Sequence, residues 1–452
     1  MVRRRSILKT AFSYILIPVI VMMATFVSPV KASPAIPQVR VGILSNQQSV
    51  LLSADTDFDI KNADTGQLLE HIHAKDRVTI SSVGKTITIN SKQSAALHIN
   101  IVKLPKKSST PITVNKSGYR GDISIHITHG KTGLTVVNTL PIEQYLYGVL
   151  AKEISPDWHF EAIKAQAVAA RTYSMHHMRK HQGDGYDLCV TTDCQVYGGV
   201  ENENLRMIKA VNDTYGQVVT YQGKLISTYF HSSSGGYTEN SENVWNTSEP
   251  YLRGVVDYDQ DAPQYKWEKK VTSSELTEAL DKAGYHIGMV KAIELVPLEK
   301  IPMTATERGV SGRVKIIRFI GTNGNAQLTG EKFRTMLGLK STLFDISVMV
   351  SAPKAVEFVV TDSHGDRSNK KVEINLPLTS QPGFITDKRS MHRTSGAANE
   401  IIVISGLGWG HGVGLSQWGA KAMAEKGPQG DPTYFKAILK HYYQGTVVKK
   451  VY

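Results

Sequence analysis

The stretch that decides the fold is LPIEQYLYGVLAKEISPDWHFEAIKAQAVAARTYS, residues 140–174. Ile142, Tyr145, Leu146, Val149 and Leu150 recur at spacings of three and four, the mark of one apolar helix face. Pro141 suits the first helical turn, where its missing N–H would be unpaired anyway. Ser155-Pro156 ends the helix, because proline disfavours helical backbone in the residue before it. Asp157 is then read as the cap of a second helix running to about Lys180, with an alanine-rich centre that lets a neighbouring helix approach closely. Gln166, Ala169, Ala170 and Tyr173 share one of its faces. The two helices make a hairpin with Glu153 near the turn.

Glu153 continues the apolar stripe, four residues after Val149 and seven after Leu146. A carboxyl group on the packed side loses solvation in its charged form, which raises its pKa. A carboxylic acid protonated near neutral pH can give a proton to a leaving group. The position also suits an ordinary, partly exposed glutamate at a helix end.

Outward from the hairpin the chain reads as α+β. Residues 38–128 hold short segments rich in Val, Ile and Thr, separated by turn residues: a β-rich region. Lys106 to Lys116 is a polar connector and the expected boundary between an N-terminal part, 38–110, and a second domain, 117–452. After the hairpin, helices are expected at 201–213, 273–283 and 330–338, and strands at 217–222, 224–231, 291–297 and 313–320. Strands alternate with turns from 343 to 377, 378–398 reads as loop, and a last helix carries YFKAILKHYYQG.

The 452 residues suffice for two or three domains. Arg3, Arg4, Arg5 and Lys9 precede an uncharged apolar run from Ala11 to Val30, and Val30-Lys31-Ala32 places small residues where a signal peptidase reads. Residues 1–32 are therefore expected to be a signal peptide; the alternative is a retained anchor, since about 20 apolar residues can span a bilayer. Formal net charge is +12, of which residues 1–32 supply five basic and no acidic residues, leaving +7. An exported basic protein is drawn to polyanions, such as those of a bacterial wall. Nucleic acid is a poor match: the chain has no basic helix, zinc-finger spacing or RNP-like strand.

Cys189 and Cys194 are the chain's two cysteines. An export route permits a disulfide between them. A metal half-site is the alternative, with His176, His177, His181 and Asp193 close in sequence. Free thiols are the third reading. His231-Ser232-Ser233-Ser234-Gly235-Gly236 follows a strand and offers hydroxyls to a polar ligand or to Ser-rich turns, but is no G-x-S-x-G elbow. Gly406 to Gly419 holds six glycines in fourteen residues with Trp409, His411, Gln417 and Trp418. Glycine allows close backbone approach, and flat aromatic rings suit the apolar faces of sugars. It is not a phosphate loop.

Taken in order, LPIEQYLYGVLAKEISPDW, EAIKAQAVAARTY, YDLCVTTDCQVYGG, TYFHSSSGGYTENSENVW, GEKFRTMLGLKSTLF and GWGHGVGLSQWGA resemble the SpoIID/LytB family, named for a sporulation protein and an amidase enhancer. The resemblance runs from about residue 117 to 452, and the N-terminal β region is similar to the family's accessory domain. It implies wall remodelling. SpoIID-type members are lytic transglycosylases acting on glycan strands stripped of stem peptides, and their catalytic glutamate falls on Glu153. Gln166, Arg171, Tyr173, His231, Ser232, Ser233, Trp409, His411 and Gln417 would line the groove. The LytB branch implies a second role, a non-catalytic enhancer that binds wall glycan and stimulates an amidase. The family also carries a zinc site of cysteines and histidines in the segment matching YDLCVTTDCQVY. Asp193 stands here where histidine is common, so Cys189 and Cys194 would hold a structural zinc only with an unusual partner. Catalysis through one glutamate requires no cofactor.

Overall fold

The computed structural model describes residues 35–94, 96–106, 108–350, 355–361, 365–373, 389–396 and 400–452. The expected signal peptide lies outside these residues, as does most of the expected loop at 378–398.

Strands across residues 38–141, joined by the short strand Leu188–Cys189, build two sheets. One has seven strands in the order Leu188–Cys189, Gln38–Gln47, Leu134–Pro141, Asp122–Ile127, His98–Lys103, Phe58–Asn62 and Leu68–Ile72. It is antiparallel except for the short strand Leu188–Cys189, which runs parallel to its neighbour. The other has six, in the order Ser117–Tyr119, Ile112–Val114, Ser49–Ala54, Arg77–Val83, Thr86–Ile89 and Lys92–Gln93. Alternate residues such as Val39, Val41, Val50, Leu52, Phe58, Ile60, Val78 and Ile80 are buried in one core with both sheets contributing. The connector at Lys106 to Lys116 therefore does not divide two cores. Strand Gln38–Gln47 pairs with Leu134–Pro141, the strand that feeds the helical hairpin, and the same cluster extends to Leu146, Ala170 and Tyr452.

Eight helices occur among the described residues: α1 (Ile142–Glu153), α2 (Phe160–His176), α3 (Leu205–Asp213), α4 (Glu242–Trp245), α5 (Ser273–Lys282), α6 (Gly330–Leu337), α7 (Gln417–Lys426) and α8 (Phe435–Tyr442). The five stripe residues of α1 are all fully buried, as their spacing requires. Helix α2 starts later than Asp157. The His159 side chain accepts from Glu161 N–H, while Asp157 N–H donates to Ser155 Oγ at 3.2 Å and belongs to the turn. Asn204, accepting from Arg206 and Met207 N–H, likewise starts α3 after a separate 3₁₀ turn at Val200–Asn202.

Helix α2 is the centre of the molecule. Every residue from Glu161 to Ser174 is buried. Ile163, Ala167 and Ala170 join the core of the β region, and Ala162, Ala165, Val168 and Ala169 pack in a second core with α7 and α8. Alanine at these positions admits partners on both sides. A third core lies within 266–407. There a three-stranded sheet (Lys266–Thr272, Glu400–Leu407, Phe344–Val350) and a four-stranded sheet (Asn325–Thr329, Ile316–Gly321, Val290–Glu294, Met391–Arg393) pack with α5 and α6.

A helix with no solvent face must neutralise its charges internally. Lys164 Nζ lies 2.8 Å from Glu161 Oε1 and donates to Pro432 O at 2.8 Å. Arg171 donates through Nε and Nη2 to the two oxygens of Glu143 at 2.9 and 2.7 Å, and through Nη1 to Gln217 O at 3.1 Å. Glu143 Oε1 also accepts from Gly216 N–H at 3.1 Å and Tyr452 Oη at 2.7 Å. One buried carboxylate thus ties α1, α2, the start of strand Gln217–Tyr221 and Tyr452 together. Removing one partner of such a pair strands a buried charge. Glu143→Ala is expected to lose about 3–5 kcal/mol in urea unfolding, and Glu143→Leu/Arg171→Met to recover much of that loss.

Candidate active-site groove

Extended backbone at Ile154 (φ −140°, ψ 162°) ends α1 and leaves Glu153 on its last turn, facing a groove of about 760 Å³. Glu153 is half-buried. Burial raises its pKa from the ordinary 4.5, against the opposing pull of hydrogen bonds from the Gln417 side chain and the Val196 backbone. The helix C-terminus, with its partial negative charge, further disfavours the carboxylate. Gln417 Nε2 donates to Glu153 Oε2 at 3.3 Å from the first residue of α7.

The opposite wall is a two-strand crossing. Phe230–His231 runs parallel to Leu415–Ser416, which joins the Ser-rich and Gly-rich segments that sequence could name only separately. His411 Nδ1 accepts from Val413 N–H at 3.0 Å, so its Nε2–H donates to Phe230 O at 3.1 Å. Burial, reinforced by Arg313, holds its pKa down at about 3. His231 Nδ1–H donates to Val413 O at 3.2 Å, and burial keeps this ring neutral as well. Neither imidazole is a proton donor in waiting; both fix the wall. Trp409 and Trp245 present partly exposed rings in the groove, Trp245 leaning on Tyr229 at a centroid distance of 4.2 Å. The glycines permit this packing: a side chain at Gly410 (φ 111°) would meet His231 Cβ at 2.8 Å.

Seven of the residues expected from sequence thus meet at one groove: Glu153, Tyr173, His231, Ser232, Trp409, His411 and Gln417. Three do not. Arg171 is fully buried and committed to Glu143. Gln166 is buried in the middle of α2. Ser233 points inward, its Oγ donating to Asp259 Oδ2 at 2.5 Å. Ser232 lies just past the strand and lines the groove, while Ser233, bridged through its backbone to Trp409, turns its hydroxyl to Asp259. Sequence reasoning passed over Asp257, Asp259 and Arg313. Asp259 also accepts from Gly235 and Gly236 N–H, both at 2.9 Å, and Arg313 clamps Ser234 O and His411 O at 3.0 and 3.1 Å. Both acidic residues sit in DYDQD, residues 257–261, a loop with no local signal for partners some twenty residues earlier.

Beside Glu153 the wall is made by residues 192–196. Gln195 anchors it: Oε1 accepts from Ser174 Oγ at 2.8 Å and from Tyr145 Oη at 3.4 Å, and Nε2 donates to Ala170 O at 3.3 Å. Just before it, the donor atoms of His181, Cys189, Asp193 and Cys194 all lie within 4.8 Å of one another. The thiols are unbridged, with Sγ atoms 3.0 Å apart. Two thiols, an imidazole and a carboxylate suit four-coordinate zinc. Asp184 Oδ2, 3.3 Å from His181 Nδ1, orients that ring and leaves Nε2 facing Asp193 Oδ2 at 3.1 Å, a usual support for a ligating histidine. His177 is excluded, because Nδ1 is bound to Tyr173 O at 2.9 Å and Nε2 to Ser227 Oγ at 3.1 Å.

The architecture is that of an α+β protein with a carboxyl-bearing groove at the end of a helical hairpin, and comparison with known proteins places it. Residues 130–221 match the family described as stage II sporulation protein, SpoIID, and residues 251–363 match a domain of unknown function, DUF8618. A protein of Brachyspira hyodysenteriae described as uncharacterized is 33% identical over 334 residues, covering 74% of this chain and 73% of its own. The amidase enhancer of Bacillus subtilis is 32% identical over 308 residues, 67% of this chain and 40% of its own length. Stage II sporulation protein D of Bacillus subtilis is 27% identical over 336 residues, covering 71% and 78%. This chain belongs to the SpoIID/LytB family.

The raised pKa of Glu153 has a stability signature. The folded chain holds this proton more tightly than the unfolded chain, so ionisation costs stability as pH rises from 4.5 through the raised value, and no more beyond it. Glu153→Gln keeps an acceptor for Gln417 and Val196. Its unfolding free energy is expected to match wild type below pH 4.5 and exceed it at neutral pH, as read by denaturant titrations across pH.

Proposed function

We propose that this protein is an exported peptidoglycan lytic transglycosylase that cleaves glycan strands denuded of stem peptides, in bacterial wall remodelling. The observation that carries the reading is the placing of Glu153: a half-buried carboxyl with raised pKa, in a groove whose other described carboxylate, Asp193, is paired with Lys180 at 2.9 Å. Glycosidases usually need two carboxyl groups, one acid and one base or nucleophile. A transglycosylase needs one, because the substrate's own C6 hydroxyl attacks the anomeric carbon.

The steps follow from that. Protonated Glu153 gives its proton to the departing glycosidic oxygen. The carboxylate left behind accepts hydrogen bonds from Gln417 and Val196, which stabilise it as charge develops. It then takes the proton of the C6 hydroxyl as that oxygen closes on the anomeric carbon, giving a 1,6-anhydro-muramyl end and restoring the acid. Trp409 and Trp245 stack on sugar faces and hold the strand, while His231 and His411 stay neutral and shape the wall.

In this reading His181, Cys189, Asp193 and Cys194 hold a structural zinc that pins the 192–196 wall, and with it the Val196 N–H on Glu153. Chelation is expected to lower the melting temperature and the cleavage rate together, and Cys194→Ser to do the same without chelator; no change in melting on chelation would remove zinc from the account.

Kinetics on peptide-free strands test the main claim. Glu153→Gln is expected to lower kcat about 100- to 10,000-fold while glycan binding is kept. Wild-type kcat should fall as pH rises through the raised pKa of Glu153, since the acid form starts the reaction. The match to an amidase enhancer gives the second reading a specific footing. Strands bound but left uncut by both proteins, with stimulation of a wall amidase, would support that role and end the enzyme reading.

A further inference from the structure

A second cluster of metal-type donors lies in the β region, on residues the groove does not use. Strands Phe58–Asn62 and Leu68–Ile72 form the edge of the seven-stranded sheet, with Phe58 paired to Ile72 and Asp59 to His71. Phe58 and Ile72 point into the core. Asp59 and His71 pair directly across these strands, and Asp57 and His73, just outside the strand ends, come to lie beside them.

Their side chains are held in a particular way. Asp59 Oδ1 lies 2.8 Å from His71 Nδ1, which makes Nδ1 the protonated nitrogen and leaves the Nε2 lone pair free. Asp57 Oδ1 accepts from Ala74 N–H at 2.8 Å, which leaves Oδ2 free. Asp76 N–H closes the turn on His73 O at 3.1 Å, so His73 is carried on an ordered bend. The free atoms converge: His71 Nε2 lies 3.6 Å and His73 Nδ1 3.8 Å from the same Asp57 Oδ2. Both separations exceed a hydrogen bond. They are close to the spacing of ligand atoms around a tetrahedral zinc, about 3.4 Å for metal–ligand bonds near 2.1 Å. An aspartate orienting one imidazole from behind is the usual support of a ligating histidine.

We propose that Asp57, His71 and His73 bind a divalent transition-metal ion of the zinc class, with Asp59 as the positioning residue and water completing the coordination. Two imidazoles select zinc, copper or nickel over calcium or magnesium, which prefer all-oxygen sites. The bound ion clips the sheet edge at Asp57 to the turn that follows it. The site shares no residue with the His181–Cys194 tetrad and does not depend on the reading of the groove.

Zinc uptake by the metal-stripped full chain, measured against a competing chromophoric chelator, tests this by difference. Wild type is expected to bind one equivalent more than His73→Ala and one more than Asp57→Asn, whatever the cysteine tetrad binds. Asp59→Asn should keep that equivalent with affinity lowered about 10- to 100-fold. His73 is exposed, so its loss leaves the fold intact, which circular dichroism checks in the same samples. Equal zinc uptake by wild type and a folded His73→Ala would overturn the proposal.

Discussion

The buried pair between Arg171 and Glu143 is the interaction on which the rest of the structure leans. Helix α2 has protein on every side, so the guanidinium of Arg171 has no route to water. Its partner comes from the first turn of α1, which sets the two helices of the hairpin against each other. Glu143 spends its remaining capacity on Gly216 and Tyr452, so distant parts of the chain close around the same carboxylate. Breaking such a pair is far costlier than never having made it, because what remains is an unpaired buried charge. With the hairpin fixed at its base, the far end of α1 is fixed too, and Glu153 arrives at the groove on a rigid helix rather than a loop.

Local periodicity and chemistry made one half of this legible. The three-and-four spacing from Ile142 to Leu150 gave α1 and its buried face, and the continuation of that stripe marked Glu153 as a carboxyl short of water. The Val- and Ile-rich segments of 38–128 gave strands. Helices near 273–283 and 330–338 were readable from their amphipathic pattern and form as α5 and α6. What stayed hidden depends on partners far away in sequence. An arginine in an alanine-rich helix looks the same whether it meets a sugar or Glu143, 28 residues earlier. Ser232 and Ser233 are neighbours just past the short strand Phe230–His231, and Asp259, 26 residues on, draws only the second of them inward. A polar connector reads as a domain boundary until Gln38–Gln47 is seen beside Leu134–Pro141 in one sheet.

The groove owes its chemistry to what has been removed from it. His231 and His411 in its wall are kept neutral by burial and have their donor hydrogens committed to backbone carbonyls. Asp193 is drawn to Lys180 and His181. Of the two described carboxyl groups lining the groove, Glu153 is the one whose pKa is raised while that of Asp193 is lowered, and its hydrogen bonds from Gln417 and Val196 favour the charged form. That is the balance wanted of a group that acts first as an acid and then as a base: burial favours the proton at the start, and preorganised donors receive the charge when it leaves.

The central claim is that one carboxyl suffices because the attacking oxygen belongs to the substrate. Digestion of peptide-free glycan strands in water enriched in ¹⁸O, followed by mass spectrometry of the new ends, tests it most directly. The account predicts anhydro-muramyl ends that carry no solvent oxygen and are lighter by one water than hydrolysed ends. New reducing ends labelled with ¹⁸O would show that water is the nucleophile, and would contradict it.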